Sequence, residues 1–242
     1  MSLPVNLNAP SPVDGWLDRI GRWLCTPRCL VCREPAAAGA DLCVACRERL
    51  PWNRRACLRC AIPLDVGDSL CGHCLRRPPP LAEAHAAFVY GFPLDRLLPR
   101  FKFHHDLAAG RLLVGCMAES FATLPRPDAL AAVPLHRARL RRRGYDQALE
   151  LARPLARTLA LPLLDGRLQR ARATAAQSRL DADARRRNLR DAFRVRGQGA
   201  LPAHVVLIDD VMTTGATLHA AATALRRAGV QRVDAWVCAR AP

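Results

Sequence analysis

The chain has 242 residues, 37 Lys plus Arg against 21 Asp plus Glu, and 11 cysteines, a length that fits one large domain or two unequal ones. Half the residues are apolar and 24% are charged, so there is material for a core and wholesale disorder is excluded, as is an acidic or neutral surface at a net charge of +16. No apolar run approaches the ~20 residues that span a bilayer, and Asp14, Asp18, Arg19 and Arg22 interrupt the only stretch resembling a secretory signal, so a cytoplasmic protein is expected.

Residues 1–24 contain Trp16, Leu17, Ile20, Trp23 and Leu24 at helical spacing, one apolar face of a short helix beginning near residues 12–14. Packing against the rest of the protein is the expected use. A membrane surface is the alternative, opposed by the two acids among the arginines.

Residues 25–77 are organised by cysteine. Eight sulfurs form four C-x-x-C pairs, Cys29/Cys32, Cys43/Cys46, Cys57/Cys60 and Cys71/Cys74, each starting 14 residues after the last. A shift of 28 residues superimposes Leu30 on Leu58, Pro35 on Pro63, Gly39 on Gly67 and Leu42 on Leu70, an internal repeat of one small unit. Each tight turn presents two thiolates, and two turns complete a tetrahedral site suited to structural Zn²⁺, so two ions would use all eight ligands. So few apolar side chains cannot fold such a module alone; metal binding would supply the free energy. An iron–sulfur centre or a disulfide framework are the alternatives. The repeat pairs the first four cysteines and the last four, interleaved pairing being the other arrangement. Cys25 is close enough to compete as a ligand, whereas Cys116 and Cys238 lie among apolar residues as buried small hydrophobes.

Arg76-Arg77-Pro78-Pro79-Pro80 separates this module from residues 81–242, where apolar strands alternate with amphipathic helices, the pattern of a mostly parallel sheet covered on both faces. Strands are expected at 84–90, 130–133, 205–208 and 233–237, and helices at 94–103, 107–124, 147–159 and 217–227. Between 136 and 196 lie 17 Arg against 6 Asp plus Glu, a concentration that suits a nucleotide, pyrophosphate or a nucleic-acid backbone. A solvated arginine-rich surface is the plainer reading.

The sharpest signal is HVVLIDDVMTTGATL at 204–218. A buried strand runs into Asp209 and Asp210, then Val211 and Met212, then the turn Thr213, Thr214, Gly215, Ala216 and Thr217 opening a helix. Backbone N–H groups and hydroxyls of such a turn converge at a helix N-terminus, where the dipole favours a phosphate dianion. Gly215 lets the backbone close on the ligand. Paired acids at the carboxyl end of a strand can accept hydrogen bonds from sugar hydroxyls, so a ribose 5-phosphate satisfies both halves. The plainer reading, that the acids merely cap the helix, leaves one of them without a role.

This stretch resembles the 5-phosphoribosyl-1-pyrophosphate (PRPP) motif of the type I phosphoribosyltransferases. Val133-Pro134-Leu135, followed by Arg137, Arg139, Arg141, Arg142, Arg143, Gly144, Tyr145, Asp146 and Gln147, resembles the P-x-x-x-x-R-x-x-R-G-[FY]-N-Q segment of the ComF (competence protein F-like, or GntX-like) family, with Asp146 in place of the usual Asn. Arg172, Thr174, Gln177 and Leu180, with Arg185, Asn188 and Phe193, resemble that family's long loop, and Lys102, Phe103 and His104 match a third short signature.

The resemblance covers about residues 25–240. It implies a type I phosphoribosyltransferase-like α/β domain behind a double zinc ribbon, with PRPP or a related phosphoribosyl ligand and its Mg²⁺ bound by Asp209, Asp210 and residues 211–217. It further implies a pyrophosphate loop at Arg142, Arg143 and Gly144, a part for Lys102, and a hood over the site at 172–188. No acceptor base can be read, and His104, His105 and His136 are the histidines available for proton transfer. The resemblance also implies natural DNA uptake. The competing reading is a zinc-ribbon single-stranded DNA-binding protein whose phosphoribosyl site is regulatory or a relic, with stacking left to Trp16, Trp23, Trp52 or Tyr145; a third has the ligand gate DNA binding.

Overall fold

The apolar run at 205–208 forms the centre of a parallel sheet and is fully buried, as strands covered on both faces require. The computed structural model describes residues 27–242 apart from 38, 66–68, 105, 172–191 and 198. The N-terminal helix, Cys25, His105 and the hood at 172–188 therefore lie outside the described residues, as do the side chains of His104, Arg139, Arg142 and Arg143. The chain divides into two compact units between Arg49 and Leu50.

The first unit holds the first four cysteines of the repeat and a one-turn helix, α1 (Val44–Glu48). The second, Leu50–Pro242, begins with the other four cysteines and α2 (Gly72–Arg76) and continues into the sheet. In chain order follow β1 (Ala84–Val89), α3 (Leu94–His104), α4 (Leu107–Phe121), β2 (Ala129–Ala132), α5 (Arg137–Arg143) and α6 (Gln147–Thr158). β3 (Leu168–Arg170), β4 (Phe193–Val195), β5 (His204–Met212), α7 (Ala216–Arg227) and β6 (Arg232–Arg240) complete it. The main sheet has the order β1-β6-β5-β2 with every pair parallel; β3 and β4 form a separate antiparallel ribbon.

Neither outer strand is left open to another chain. Along β1, Asn53 N–H donates to Ala87 C=O and Val89 N–H to Pro51 C=O, with the Trp52 ring 4.7 Å from that of Phe88. Along β2, Leu130 N–H donates to Pro162 C=O and Leu130 C=O accepts from Leu164 N–H. Helices close the faces: Ala109, Leu113, Met117 and Phe121 of α4 and Leu151, Ala152 and Leu155 of α6 are buried, the period of amphipathic helices.

Two elements differ from the sequence expectation in ways that shape the site. β5 extends past Ile208 to Met212, because β6 is equally long and continues the ladder through Asp209↔Val237, Val211↔Ala239 and Met212↔Arg240. The basic segment after β2 contains helix α5: arginine is a good helix former, His136 accepts from Ala138 N–H at the N-cap, and Gly144 ends the helix in the left-handed region at φ 83°.

Candidate functional site

The two halves of the cysteine repeat have the same internal hydrogen bonds. Arg33 N–H donates to Cys29 C=O (2.9 Å) and Ala61 N–H to Cys57 C=O (2.8 Å). Cys29 N–H meets Glu34 C=O, and Cys57 N–H meets Ile62 C=O. Arg33 and Ala61, 28 positions apart, both take positive φ (67° and 54°), which bends each turn so that two sulfurs face one point. Cys29, Cys32, Cys43 and Cys46 form one cluster and Cys57, Cys60, Cys71 and Cys74 the other, with the sulfurs of each within 4.8 Å of one another. The consecutive pairing holds, and the interleaved one does not.

Both donor sets fit Zn²⁺. Four thiolates around one point is a structural zinc set, and the Sγ–Sγ distances of 3.7 Å for Cys32–Cys43 and Cys60–Cys71 are far beyond a disulfide's ~2.05 Å. Burial opposes ionisation of Cys57, yet the N–H groups of Cys71, Arg59 and Cys60 outweigh it and bring that thiol down to about 7; Cys71 N–H lies 3.2 Å from its Sγ. The last proton resists: burial and its sulfur neighbours push Cys46 up to about 12 and Cys74 higher still. Four thiolates so close need a cation to ionise together, and a divalent ion supplies it.

At the other end of the second unit, the carboxyl end of β5 leads into residues 213–217. Gly215 caps α7 in the left-handed region at φ 75°, and no side chain caps that helix. Asp209 and Asp210 are thus not capping residues. Thr213 and Thr214 are exposed, and the N–H groups of Thr213, Thr214 and Gly215 donate to no described group; Ala216 N–H is met only by Thr214 Oγ1 at 3.4 Å. A Cβ on Gly215 would stand 2.6 Å from Met212 Cε and 2.9 Å from His219 Nε2. Those N–H groups, with no partner among the described residues, and the positive end of α7 are donors that could hold an anion.

The two acids differ in environment. Asp210 is paired with Lys102 (Oδ2 to Nζ, 2.9 Å), both side chains partly open to solvent at 15% and 20% exposure. Asp209 turns one oxygen back to accept from Asp210 N–H at 2.8 Å. Burial, with the negative charge of Asp210 beside it, pushes Asp209 up to about 8.

β2 runs parallel to β5, so the segment after it emerges at the same edge of the sheet as the turn. Val133 N–H donates to Ile208 C=O, and α5 with Gly144 follows. Asp146 anchors this connection: one carboxylate oxygen accepts from Leu135 N–H (2.8 Å), the other from Ala148 and Leu149 N–H at the start of α6. Burial raises its pKa against those bonds. The Tyr145 hydroxyl donates to Phe101 C=O, and Trp52 packs on Phe88, so neither ring is free for a base. His136 serves as the cap of α5. Cys116 and Cys238 are buried among apolar side chains as expected.

Sequence reasoning singled out neither Arg240 nor His219. Arg240, only 8% exposed at the end of β6, donates from Nε to Cys60 C=O (2.8 Å) and from Nη1 to Met212 C=O (3.2 Å). His219 lies under the turn, its Nε2 buried with no partner among the described residues; burial and nearby His73 push it down to about 4, so it is neutral. One helical turn after Gly215 is a spacing that could have marked it; nothing in the sequence marks Arg240.

The family profile of the double zinc ribbon domain matches residues 20–75, and that of the phosphoribosyl transferase domain matches residues 146–242. The chain is 36% identical over 222 residues to the DNA utilization protein YhgH of Salmonella typhi, an alignment covering 88% of this chain and 96% of that one. It is 37% identical to competence protein F of Haemophilus influenzae over 179 residues (71% and 78% covered) and 28% identical to competence protein ComFC of Bacillus subtilis over 204 (83% and 72%). With four sulfurs gathered twice at the N-terminal side and an acid pair leading into an open Thr-Thr-Gly turn on a parallel sheet, the chain belongs to the ComF family of competence and DNA utilization proteins, a double zinc ribbon joined to a phosphoribosyltransferase domain.

Proposed function

We propose that the protein binds PRPP, or a related 5-phosphoribosyl ligand, at the turn of residues 213–217. The observation that carries this reading is the set of unpaired backbone donors at 213–215, opening onto a helix N-terminus directly after a strand that ends in two carboxylates. The 5-phosphate accepts from those N–H groups and the Thr213, Thr214 and Thr217 hydroxyls, with Val211, Met212, Gly215 and Ala216 shaping the backbone. Asp210, with Asp209 beside it, takes the ribose hydroxyls, and Lys102 gives up its ion pair to do so. The pyrophosphate, with Mg²⁺, would be met by the segment of Arg142, Arg143 and Gly144 that follows β2.

Such a ligand reacts by breaking its C1–oxygen bond, the electron pair leaving with pyrophosphate as positive charge develops on the ribose ring. The Asp210 carboxylate near the ring would stabilise that charge and exclusion of water would keep it from being captured. The test is thermal unfolding with and without millimolar PRPP and Mg²⁺. Ligand at 100 times its Kd adds about 2.7 kcal/mol, which lifts the Tm of a domain this size by several degrees. Asp210→Asn should abolish the rise, and a wild type without one would sink the reading.

A second reading, contact with single-stranded DNA, is favoured by a surface the sequence did not mark. Phe92, just ahead of α3 across a cis bond to Pro93, and Phe103, near the end of α3, expose their rings at 59% and 58%; between them lie Arg96, with its guanidinium 5.3 Å over the Phe92 ring, and Arg100, which is paired with Asp106. Rings interleaved with arginines offer bases a stacking face and phosphates a cation. The names of the relatives, DNA utilization protein and competence protein, agree with it. Phe92→Ala with Phe103→Ala should weaken single-strand affinity at least tenfold, at about 1–3 kcal/mol for each stacked base; unchanged affinity removes this surface from the account.

A further inference from the structure

We infer that Arg240 couples the second four-cysteine cluster to the phosphate turn, so that metal at Cys57, Cys60, Cys71 and Cys74 holds residues 212–219 in their ligand-ready shape. For its ligand the inference rests on the reading of the turn given above; the coupling itself stands on geometry.

The guanidinium of Arg240 donates to three backbone carbonyls, from Nε to Cys60 (2.8 Å) and from Nη1 to Met212 (3.2 Å) and to the neighbouring Ala241, so it joins two segments 152 positions apart in the chain. Cys60 is one of the four cysteines gathered in the second cluster, and Met212 is the residue before Thr213. Ala241 N–H also donates to Met212 C=O (2.9 Å), and Arg240 C=O accepts from Tyr90 N–H, so the end of β6 is pinned while its side chain reaches both ways. The same apolar cluster holds Ala61, next to Cys60, together with Met212 and with Leu218, Ala221 and Ala222 of α7; Cys60 packs against it. The second sulfur turn and the floor of the phosphate turn are thus one packed body.

Charge gives the coupling its direction. Arg240 is buried, and among the described residues no carboxylate is paired with it. A buried cation needs compensation. Four thiolates around one Zn²⁺ carry a net charge of −2, on the same turn whose carbonyl the guanidinium grips. Without metal nothing draws the four sulfurs to one point, so the backbone of the Cys57–Cys60 turn, and with it the Cys60 carbonyl, loses its fixed position. Arg240 then loses one of the carbonyls that hold it in place, and the carbonyl of Met212 keeps Ala241 N–H but loses the side-chain donor that ties the entrance of the turn to the sulfur cluster. Arg240 is therefore a positioning residue: it touches no ligand and acts through the backbone of residue 212.

The experiment compares hydrogen exchange of the amides at 213–219 in zinc-loaded wild type, zinc-depleted wild type and zinc-loaded Arg240→Met, with metal content measured on each and PRPP·Mg²⁺ affinity measured by calorimetry. Hydrogen bonds from a charged group support a roughly tenfold effect. Exchange at 213–219 should quicken about tenfold on zinc removal, and as much in Arg240→Met with both ions still bound. In that variant further removal of zinc should change the turn no more. PRPP should bind the variant about tenfold more weakly. Equal exchange at the turn in loaded and depleted wild type, or an Arg240→Met turn as protected as the wild type's, overturns the coupling. A wild type with the predicted exchange that ignores PRPP would refute the ligand and leave the coupling standing; tight PRPP binding with no exchange response does the reverse.

Discussion

The ammonium of Lys102 lies 2.9 Å from Oδ2 of Asp210, and Lys102 is the only lysine in the chain. It arrives from α3, two residues before its end, while Asp210 is still within the β5 ladder. An ammonium is a point charge that can be displaced without breaking a planar fork, unlike a bidentate arginine. It thus suits a counter-ion that holds the acid ready and yields to a sugar. Lys102→Met should strip this pairing, lower the affinity for PRPP several-fold and leave the unliganded Tm nearly unchanged, since partly exposed pairs contribute about 0–1 kcal/mol. Calorimetry on the variant decides it: undiminished affinity would take Lys102 out of the site.

Asp209 gives the protein a pH signature. Its carboxyl is raised to about 8 by burial and by Asp210, well above the ~4 of an unfolded chain. Between those values the folded state holds a proton that the unfolded state has lost, so stability falls as pH rises through the window of about 4 to 8. Its slope from this group stays below about 1.4 kcal/mol per pH unit. Denaturant unfolding at pH 5, 6, 7 and 8 should show the decline, and Asp209→Asn should flatten it; an identical slope in the variant would mean the group titrates normally.

Gly215→Ala should cost about 1–3 kcal/mol and abolish the ligand response of the turn. The position has φ 75°, and the new methyl would meet Met212 Cε at 2.6 Å and His219 Nε2 at 2.9 Å. Adding His219→Ala, which removes one of the two obstacles, should recover part of the lost stability; the φ penalty remains. No recovery would show that backbone strain alone sets the cost.

Purified protein should carry about two zinc ions, one for each cluster. Cys29→Ser and Cys57→Ser should each remove about one, with unequal consequences. Cys57 and Cys60 belong to the unit that contains the sheet, and Ala61 to its core. Loss of the second ion should therefore lower the unfolding temperature of the sheet unit by many degrees, loss of the first hardly at all. Equal drops measured by calorimetry would contradict this division.

Asp146→Ala should destabilise the second unit by about 2–4 kcal/mol, because three backbone N–H groups lose their acceptor, one of them, on Leu135, outside the helix it caps. Chemical denaturation gives the number; a loss under 1 kcal/mol would show that water replaces the carboxylate.

The parallel sheet, the sulfur pairing and the strand–turn–helix of 204–218 could all be read from local pattern: an unbroken apolar run, a 14-residue cysteine spacing, and a Thr-Thr-Gly turn after two acids. Each is written in neighbouring residues. What escaped was set by distant ones. Lys102 could be tied to the site only by resemblance, because its partner is 108 positions away. Arg240 reaches back 180 residues to Cys60, and the final β5 pairs exist only because β6 is equally long. The helix within 137–143 was missed because a run of arginines reads as a solvated surface, while its His136 cap and Gly144 stop are ordinary helix punctuation. Exposed Phe92 and Phe103 were passed over in favour of tryptophan and tyrosine, whose positions turned out to be packed or hydrogen-bonded where described.

The duplicated sulfur turns answer to different judges. Around Arg33 a replacement need only preserve a bend and two thiols, so that copy is free to drift. Around Ala61 the same replacement must also fit under a helix and leave a carbonyl free for a guanidinium from the chain's other end. Twin motifs of common origin have thereby acquired unequal tolerance for change, and a residue exchanged between the copies would be harmless in one direction and damaging in the other.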